Sequence, residues 1–243
     1  MSDKLLSFFL LFDKLYKNRK EKGRKMKRKS NKSLYLGVGC LLGFALWTFL
    51  ISFVDVKSIG PNGSEVGFSY LNELVHSLTG VHMWLYTVTD WLGLVPIGVA
   101  FGFAILGLVQ LIKRRSFFKV DFDILALGGF YLIVMGVYAF FEYTVINYRP
   151  VLINGYLEAS YPSSTTLLVM TVMPTALMQF RERIKRRLLS RCVSAVIILF
   201  ILFMVAGRLI SGVHWLTDIV GGALLSAGLV MLYYSAVKLK KER

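Results

Sequence analysis

The polar chemistry of this chain is concentrated in one late stretch, Gly207-Arg208-Leu209-Ile210-Ser211-Gly212-Val213-His214-Trp215-Leu216-Thr217-Asp218. His214 and Asp218 are four residues apart, so on a helix they share one face. Arg208 precedes the histidine by six residues, and long apolar runs flank the group on both sides, where charge is expensive to keep. The stretch indicates either a reactive site with a nucleophile, an orienting carboxylate and an anion-binding arginine, or ordinary interfacial residues at a helix end.

The composition outside this stretch is that of a membrane protein. Of the 243 residues, 56% are hydrophobic and 14% are aromatic, which is unusually apolar for a soluble domain. Six apolar segments each approach the roughly 20 residues that a membrane span needs. They cover about residues 34–54, 91–112, 122–145, 164–180, 189–210 and 217–237. We therefore expect an all-α integral membrane protein built as a six-helix bundle.

The positive charges predict how this bundle is oriented. Of the 29 Lys and Arg residues, 26 lie in four clusters, at 1–33, 113–119, 181–191 and 238–243. The positive-inside rule then makes both termini and the loops after the second and fourth spans cytoplasmic. Because these clusters flank spans, the net charge of +15 does not indicate nucleic-acid binding. Arg149 and Arg208 fall on the predicted outer side, so topology does not account for them.

The same pattern divides the chain into three regions. A basic cytoplasmic segment, 1–33, precedes a six-span domain, 34–237, and a basic cytoplasmic tail, 238–243. The N-terminal segment is either a solvated tail or an attachment to anionic lipids of the bilayer. The second is favoured because a span follows at once. The outer loop at about 55–90 is the longest connection, and its leucines at helical spacing, from Leu71 to Leu78, predict a short interfacial helix.

Glycines recur at four-residue spacing in two of the spans. They are Gly39 with Gly43, and Gly98 with Gly102. This spacing is typical of helices that approach one another closely in membranes. The alternative is simple tolerance of glycine within a membrane helix.

Two further motifs fall on the predicted outer side. Asn147-Tyr148-Arg149-Pro150 follows the third span, and Tyr161-Pro162-Ser163-Ser164-Thr165-Thr166 opens the fourth. Arg149 and Arg208 suit a phosphate group because a guanidinium binds its oxygens as a fork. Ser163 and Ser164, at a helix start, offer backbone N–H groups and hydroxyls to the same anion.

Together these motifs predict phosphoryl chemistry. His214 would attack phosphorus, and Asp218 would hold its other ring nitrogen and stabilise the positive imidazolium. The product would be a phosphohistidine that water later hydrolyses. The sequence contains no metal-ligand cluster, so we expect the arginines to neutralise the phosphate without a metal or other cofactor.

At these residues the sequence resembles the type-2 phosphatidic acid phosphatase family of membrane lipid phosphatases, which is related to the vanadium haloperoxidases. That family carries Lys-x6-Arg-Pro, Pro-Ser-Gly-His and Arg-x5-His-x3-Asp motifs. The third motif is complete here as Arg208, His214 and Asp218. The resemblance covers about residues 34–237 and implies a multi-pass protein of the cell membrane whose site faces outward and whose substrate is a lipid phosphate.

Two departures from the family pattern shape the expected activity. Glu142 stands where the family has lysine, and Thr165 stands where it has the general-acid histidine; Ser164 replaces the glycine. Glu142 would repel phosphate if it pointed inward, or it faces a neighbouring helix or pairs with Arg149. A threonine hydroxyl does not readily donate a proton near neutral pH, and losing a general acid typically costs about 10²–10⁴ in rate.

These departures leave two main hypotheses open. In the first, the enzyme acts on a substrate with a good leaving group, which favours a polyprenyl diphosphate such as undecaprenyl pyrophosphate over phosphatidate. In the second, the chain is a weakened relative that binds lipid headgroups or scaffolds other membrane proteins. A transporter is less favoured, because its ionisable residues belong near mid-membrane. Proton donation by His76, His82 or Glu158 from an outer loop would rescue activity.

Overall fold

The computed structural model describes residues 30–241, which form eight α-helices. They are α1 (Ser30–Phe53), α2 (Ser69–Thr79), α3 (Met83–Leu92), α4 (Leu94–Arg114), α5 (Phe122–Tyr143), α6 (Ser164–Arg183), α7 (Arg187–Ile210) and α8 (Leu216–Lys241). The described residues also form isolated β-bridges but no strand, which confirms the all-helical prediction for this part of the chain. Most of the predicted basic N-terminal segment, residues 1–29, lies outside the described residues.

Five helical stretches within residues 30–241 are long and apolar enough to cross a membrane. They are α1, the run Met83–Arg114 formed by α3 and α4, α5, α7, and Leu216–Lys240 of α8. Their outer surfaces carry large exposed apolar side chains such as Phe101, Leu132 and Leu199. A monomer in water would rarely expose so much apolar surface, whereas lipid tails solvate it. These helices support the prediction of a multi-pass membrane protein.

Helix α6 differs from the other predicted spans because protein encloses it. It packs against α4, α5, α7 and α8, and ten of its side chains are buried. Thr171 and Thr175 donate their hydroxyls to the carbonyl oxygens four residues earlier, at 2.7 and 2.9 Å, which satisfies them inside the bundle. An enclosed helix need not be apolar, so α6 is absent from the five stretches that composition alone marks as spans.

Small residues bring α1 close to α8, but they are not the glycines that the spacing pointed to. A Cβ atom on Gly37 would lie 3.1 Å from the carbonyl oxygen of Gly228, so the two helix backbones nearly touch. The hydroxyl of Ser33 adds a hydrogen bond to the carbonyl of Met231, at 3.1 Å. Gly39, Gly43, Gly98 and Gly102 face open space instead. Simple tolerance of glycine therefore describes those four positions.

The long helices alternate in direction, so the connections 54–82, 144–163 and 211–215 meet at one end of the bundle, the site end. The predicted short helix in the first connection is confirmed as α2, which docks on the start of α8. There the Asn72 side chain donates to the Thr217 hydroxyl, at 3.0 Å, and accepts from the Thr217 N–H, at 3.2 Å. The basic loops 113–119 and 181–191 lie at the opposite end.

Candidate active site

The three sequence motifs converge at the site end and bury their polar groups together. Arg149 comes from the connection between α5 and α6, Arg208 from the last turn of α7, His214 from the α7–α8 connection and Asp218 from the first turn of α8. Their exposed fractions are 8%, 2%, 3% and 0%, respectively. Buried charges are costly unless they find partners, so the contacts among these groups define the site.

A serine hydroxyl lies between the histidine and the aspartate. Nδ1 of His214 is 3.7 Å from Oδ2 of Asp218, beyond hydrogen-bond distance. Oγ of Ser160 lies 3.0 Å from that nitrogen and donates a short hydrogen bond to the same carboxylate oxygen. The imidazole therefore connects to the carboxylate through Ser160.

Several donors hold the Asp218 side chain in place at the start of α8. Besides Ser160, the backbone N–H of Trp215 donates to Oδ2 at 2.9 Å and the Asn147 side chain donates to Oδ1 at 3.3 Å. An acidic side chain in the first turn that bonds back to the residue before the helix is a helix-capping arrangement, and the positive end of the helix dipole favours its charge. The local sequence after His214 thus positions its orienting group.

The hydrogen bonds assign a proton to Nδ1 of His214. Nη1 of Arg149 is a donor and lies 3.3 Å from Nε2, so Nε2 accepts and Nδ1–H donates to Ser160. Burial lowers the pKa of His214 to about 4, although the nearby Asp218 carboxylate acts to raise it. The ring is consequently neutral near pH 7, with the lone pair of Nε2 directed towards Arg149, which is the state that a nucleophile requires.

Both arginines act electrostatically on this ring, and both already have acidic partners. Nε of Arg149 pairs with Glu158 at 3.1 Å, and Nη2 of Arg208 pairs with Asp90 at 3.2 Å. Both guanidiniums lie over the ring of Tyr86, at 5.9 and 4.9 Å from its centroid. Nε of Arg208 is buried and has no hydrogen-bond partner among residues 30–241, so this guanidinium keeps a free donor for an anion.

The connection between α5 and α6 folds back on itself, and this places Arg149 and Ser160 side by side. The backbone N–H of Arg149 donates to the carbonyl of Glu158, and that of Ser160 donates to the carbonyl of Asn147, at 3.1 and 2.9 Å. These bonds make a short hairpin-like pairing around the isolated bridge between Tyr148 and Ala159. The pairing brings the first motif next to the second.

The serines of the second motif have different surroundings. Ser163 is fully buried, caps α6 by accepting from Thr166, and donates its backbone N–H to the Asp218 carbonyl at 3.1 Å. Its hydroxyl and N–H therefore serve the protein itself. Ser164 instead lines a cavity. The Thr165 hydroxyl accepts a hydrogen bond from Nη2 of Arg208 at 2.5 Å.

A cavity of about 490 Å³ lies between α5, the α5–α6 connection and the start of α6. Its lining does not include His214 itself but includes Arg149 and Ser160, which both contact the imidazole. Arg149, Ser160 and Ser164 form one wall, and the cavity also contacts apolar groups such as Phe141. Glu142 lies in this lining and hydrogen-bonds with Tyr138. Glu142 does not pair with Arg149, which was one of the predicted alternatives. Glu158 forms the ion pair with Arg149 instead.

The remaining candidates for proton transfer lie in several places. His76 contacts the carbonyl of Gly212 at 3.1 Å, and His82 contacts the carbonyl of Thr79 at 2.9 Å. Neither His76 nor His82 forms a hydrogen bond with His214 or Thr165. Glu158 is part of the site through its ion pair with Arg149.

The sequence did not predict a role in the site for four residues. They are Tyr86, Asp90, Asn147 and Ser160. Asn147 is the first residue of the first motif and Ser160 directly precedes the second, and these positions are the available sequence signal. Tyr86 and Asp90 come from α3, which looked like an aromatic interfacial segment before a span. Within residues 30–241, no group of three or more His, Cys, Asp or Glu side chains could hold a metal ion.

Comparison with known proteins adds a family to this geometry. Residues 124–242 match the PAP2 superfamily, and that range contains all three motifs. The fold is similar to the crystal structure of a transmembrane PAP2-type phosphatidylglycerolphosphate phosphatase from Bacillus subtilis. The TM-score is 0.55 at 17% sequence identity, over 85% of this chain and 97% of that one. No curated protein matches this chain significantly in sequence.

Proposed function

Because the chain is a member of the PAP2 superfamily, we propose that it is a membrane lipid phosphatase that hydrolyses a lipid phosphate or diphosphate through a phosphohistidine on His214. The observation that carries this proposal is the convergence of Arg149 and Arg208, through Tyr86, on a neutral buried imidazole. A neutral imidazole close to two guanidiniums suits attack on an anionic electrophile. Phosphate is such an anion, and guanidiniums bind its oxygens through paired hydrogen bonds.

The first chemical step uses Nε2 of His214. A bound phosphate takes the place beside Nε2 that Nη1 of Arg149 occupies, and the guanidinium then binds phosphate oxygens. Nε2 attacks phosphorus, the bond to the leaving oxygen breaks, and the leaving group takes the electron pair. The imidazolium that forms is stabilised through Nδ1–H by Ser160 and Asp218. Ser164, in the cavity wall, supplies a further hydroxyl to the phosphate.

Thr165 limits which leaving groups the site can expel from a substrate. Cleavage of a lipid diphosphate expels a phosphate monoester, which needs little protonation, whereas cleavage of phosphatidate expels an alkoxide. With threonine instead of the family's histidine, the site favours the first kind. A polyprenyl diphosphate such as undecaprenyl pyrophosphate therefore fits the site better than phosphatidate. Glu142 in the cavity works against a highly charged leaving group, so the two substrate classes must be compared directly.

The membrane arrangement follows from the same proposal. Helix α6 acts as a sixth span inside the ring of five apolar stretches. The basic loops at 113–119 and 181–191 face the cytoplasm, and the site end faces outward at the plasma membrane. The basic N-terminal segment attaches to anionic lipid headgroups on the cytoplasmic leaflet. The substrate phosphate then lies at the outer leaflet, level with Arg149 and His214.

The test is phosphate release by the purified full-length protein in detergent micelles. The substrates are undecaprenyl diphosphate and phosphatidate, and His214→Ala is the matched inactive variant. We expect release from the diphosphate to exceed release from phosphatidate and to vanish in the variant. A preference for phosphatidate would overturn the choice of substrate, and activity that survives His214→Ala would overturn the nucleophile.

A second candidate function follows from the ion pairs. Arg149 and Arg208 already contact Glu158 and Asp90, so without substrate both cations are compensated. This favours a weakened member that holds lipid headgroups without rapid turnover, or that scaffolds other membrane proteins. A cellular phenotype that His214→Ala leaves intact, although deletion of the protein abolishes it, would select this alternative.

A further inference from the structure

The position of the missing general acid has a carboxylate beside it. Nη2 of Arg208 contacts both the Thr165 hydroxyl, at 2.5 Å, and Oδ1 of Asp90, at 3.2 Å. The two oxygens thus share one donor nitrogen. Thr165 reaches it from the start of α6, and Asp90 reaches it from α3, an element outside all three motifs.

The surroundings of Asp90 suit a group that exchanges protons with solvent. Its side chain is 58% exposed, whereas the Arg208 side chain that it contacts is only 2% exposed. One helical turn before it, Tyr86 packs against both arginine guanidiniums. Asp90 therefore lies at the exposed edge of the buried phosphate clamp, near the start of the apolar stretch Met83–Arg114 at the site end.

We propose that Asp90 activates the water that hydrolyses the phosphohistidine, beside the position where Thr165 replaces the family's general-acid histidine. This inference rests on the proposed function. Asp90 is a carboxylate, the kind of side chain that serves as a general base towards water. It accepts a proton, and acceptance is what the second step requires.

The second step balances without another reactant. The oxygen of a water molecule bonds to phosphorus while the bond between phosphorus and Nε2 breaks, and its electron pair returns to the imidazole. One water proton passes to the Asp90 carboxylate, and inorganic phosphate leaves between Arg149 and Arg208. Asp90 then releases the proton to solvent, which its exposure allows.

Other acidic and basic groups are placed less well for this task. Glu158 pairs with Arg149 and forms no hydrogen bond or ion pair with Thr165 or Arg208. Nε2 of His76 contacts the backbone carbonyl of Gly212, and Nε2 of His82 contacts that of Thr79. Among the acidic side chains of residues 30–241, only Asp90 forms an ion pair with the Arg208 guanidinium, which also donates a hydrogen bond to Thr165.

The experiment follows phosphohistidine and free phosphate separately in the full chain, with undecaprenyl diphosphate labelled in its terminal phosphate. In Asp90→Asn we expect the acid-labile phosphoenzyme to form and accumulate while phosphate release falls by about 10²–10⁴, the usual contribution of a general base. Glu158→Gln, which removes the acidic partner of the other arginine, should not cause accumulation. Asp121→Asn, which breaks an exposed ion pair with Arg114 at the opposite end, should behave as the unmodified protein.

A rescue variant separates water activation from mere positioning of Arg208. Adding Thr165→His to Asp90→Asn restores an acid–base group beside the phosphate, and we expect it to clear the accumulated phosphoenzyme. If Asp90→Asn slows formation and loss of the phosphoenzyme equally, and Thr165→His restores neither, Asp90 only positions Arg208 and the inference is wrong. If the unmodified protein releases phosphate with no phosphohistidine at all, the proposed function fails and this inference fails with it.

Discussion

The Ser160 hydroxyl lies 3.0 Å from Nδ1 of His214, closer than any oxygen of the aspartate four residues later in the chain. The i, i+4 relation between His214 and Asp218 suggested a direct pair. In the folded chain the α7–α8 connection ends at Trp215 and only Asp218 is helical, so the imidazole and the carboxylate are offset. Ser160, delivered by the α5–α6 connection, fills the gap and transmits the orientation.

Replacing Ser160 tests that bridge. We expect Ser160→Ala to slow phosphohistidine formation by about 10–100-fold, because a hydrogen bond to a charged group contributes about 1.5–3 kcal/mol. Ser160→Thr keeps the hydroxyl and should recover most of the rate. Rapid-quench measurement of the phosphoenzyme provides the readout. Ser226→Ala removes another buried serine hydroxyl, on α8, and serves as the control. An unchanged rate in Ser160→Ala would mean that Asp218 orients the ring unaided.

The two arginines should respond differently to lysine. Arg149→Lys and Arg208→Lys each remove a phosphate-binding fork, so KM for the lipid should rise in both. Arg208 also contacts Thr89, Thr165 and Asp90, and a single ammonium does not replace all of these bonds. We expect Arg208→Lys to lower the free energy of unfolding by about 1–3 kcal/mol more than Arg149→Lys. Thermal unfolding in detergent, alongside lipid kinetics, distinguishes the two effects; equal losses of stability would contradict the prediction.

The pH dependence follows from burial of His214, which lowers its pKa to about 4. Phosphohistidine formation should stay constant from neutral pH down to about pH 5 and decline towards pH 4, as the nucleophile becomes protonated. In the unfolded chain the same histidine titrates near pH 6.5. Between these values the unfolded state binds more protons, so the free energy of unfolding should rise with pH across that window. His214→Asn should lose this part of the pH dependence, as followed by thermal unfolding across the same range.

Restoring the missing histidine should change the substrate preference. We expect Thr165→His to raise phosphatidate hydrolysis by up to about 10²–10⁴, because an alkoxide leaving group needs a proton that threonine does not supply. Hydrolysis of the diphosphate should change much less, since its leaving group is already stable as an anion. Comparing the kcat/KM ratio for the two lipids before and after the substitution gives the answer. An equal gain on both lipids would show that Thr165 does not set the preference.

Gly212, two residues before His214, allows two connections to pack closely at the site end. Gly212 has a φ of 69°, and a Cβ atom there would lie 2.0 Å from the carbonyl oxygen of Gly80. Gly155 has a similar φ of 83° but no atom within 4 Å of a Cβ. Both alanine variants bear the backbone strain of about 1–2 kcal/mol, and Gly212→Ala adds a collision between backbones. We expect Gly212→Ala to unfold at a clearly lower temperature than Gly155→Ala.

Helices α5 and α6 show how much of the fold the local sequence specifies. The apolar length of α5 predicted a span within a few residues of its observed bounds, since burial in lipid depends on composition alone. Helix α6 was recognised too, yet its threonines and Gln179 are buried by neighbouring helices and not by lipid. Whether a polar side chain is enclosed depends on what packs around it, and no local pattern encodes that.

The amino-acid order alone determined the helical class, the apolar spans, the presence of the charged motifs and the threonine at position 165 in place of the family's histidine, because each depends on residue type and spacing. Only the tertiary structure decided that Ser160 links His214 to Asp218, that Glu158 pairs with Arg149 and that Asp90 meets Arg208. Asp90 and Arg208 are separated by 118 residues, and their contact depends on how α3 and α7 pack. Hydrogen bonds act over about 3 Å, so their partners are set by this packing.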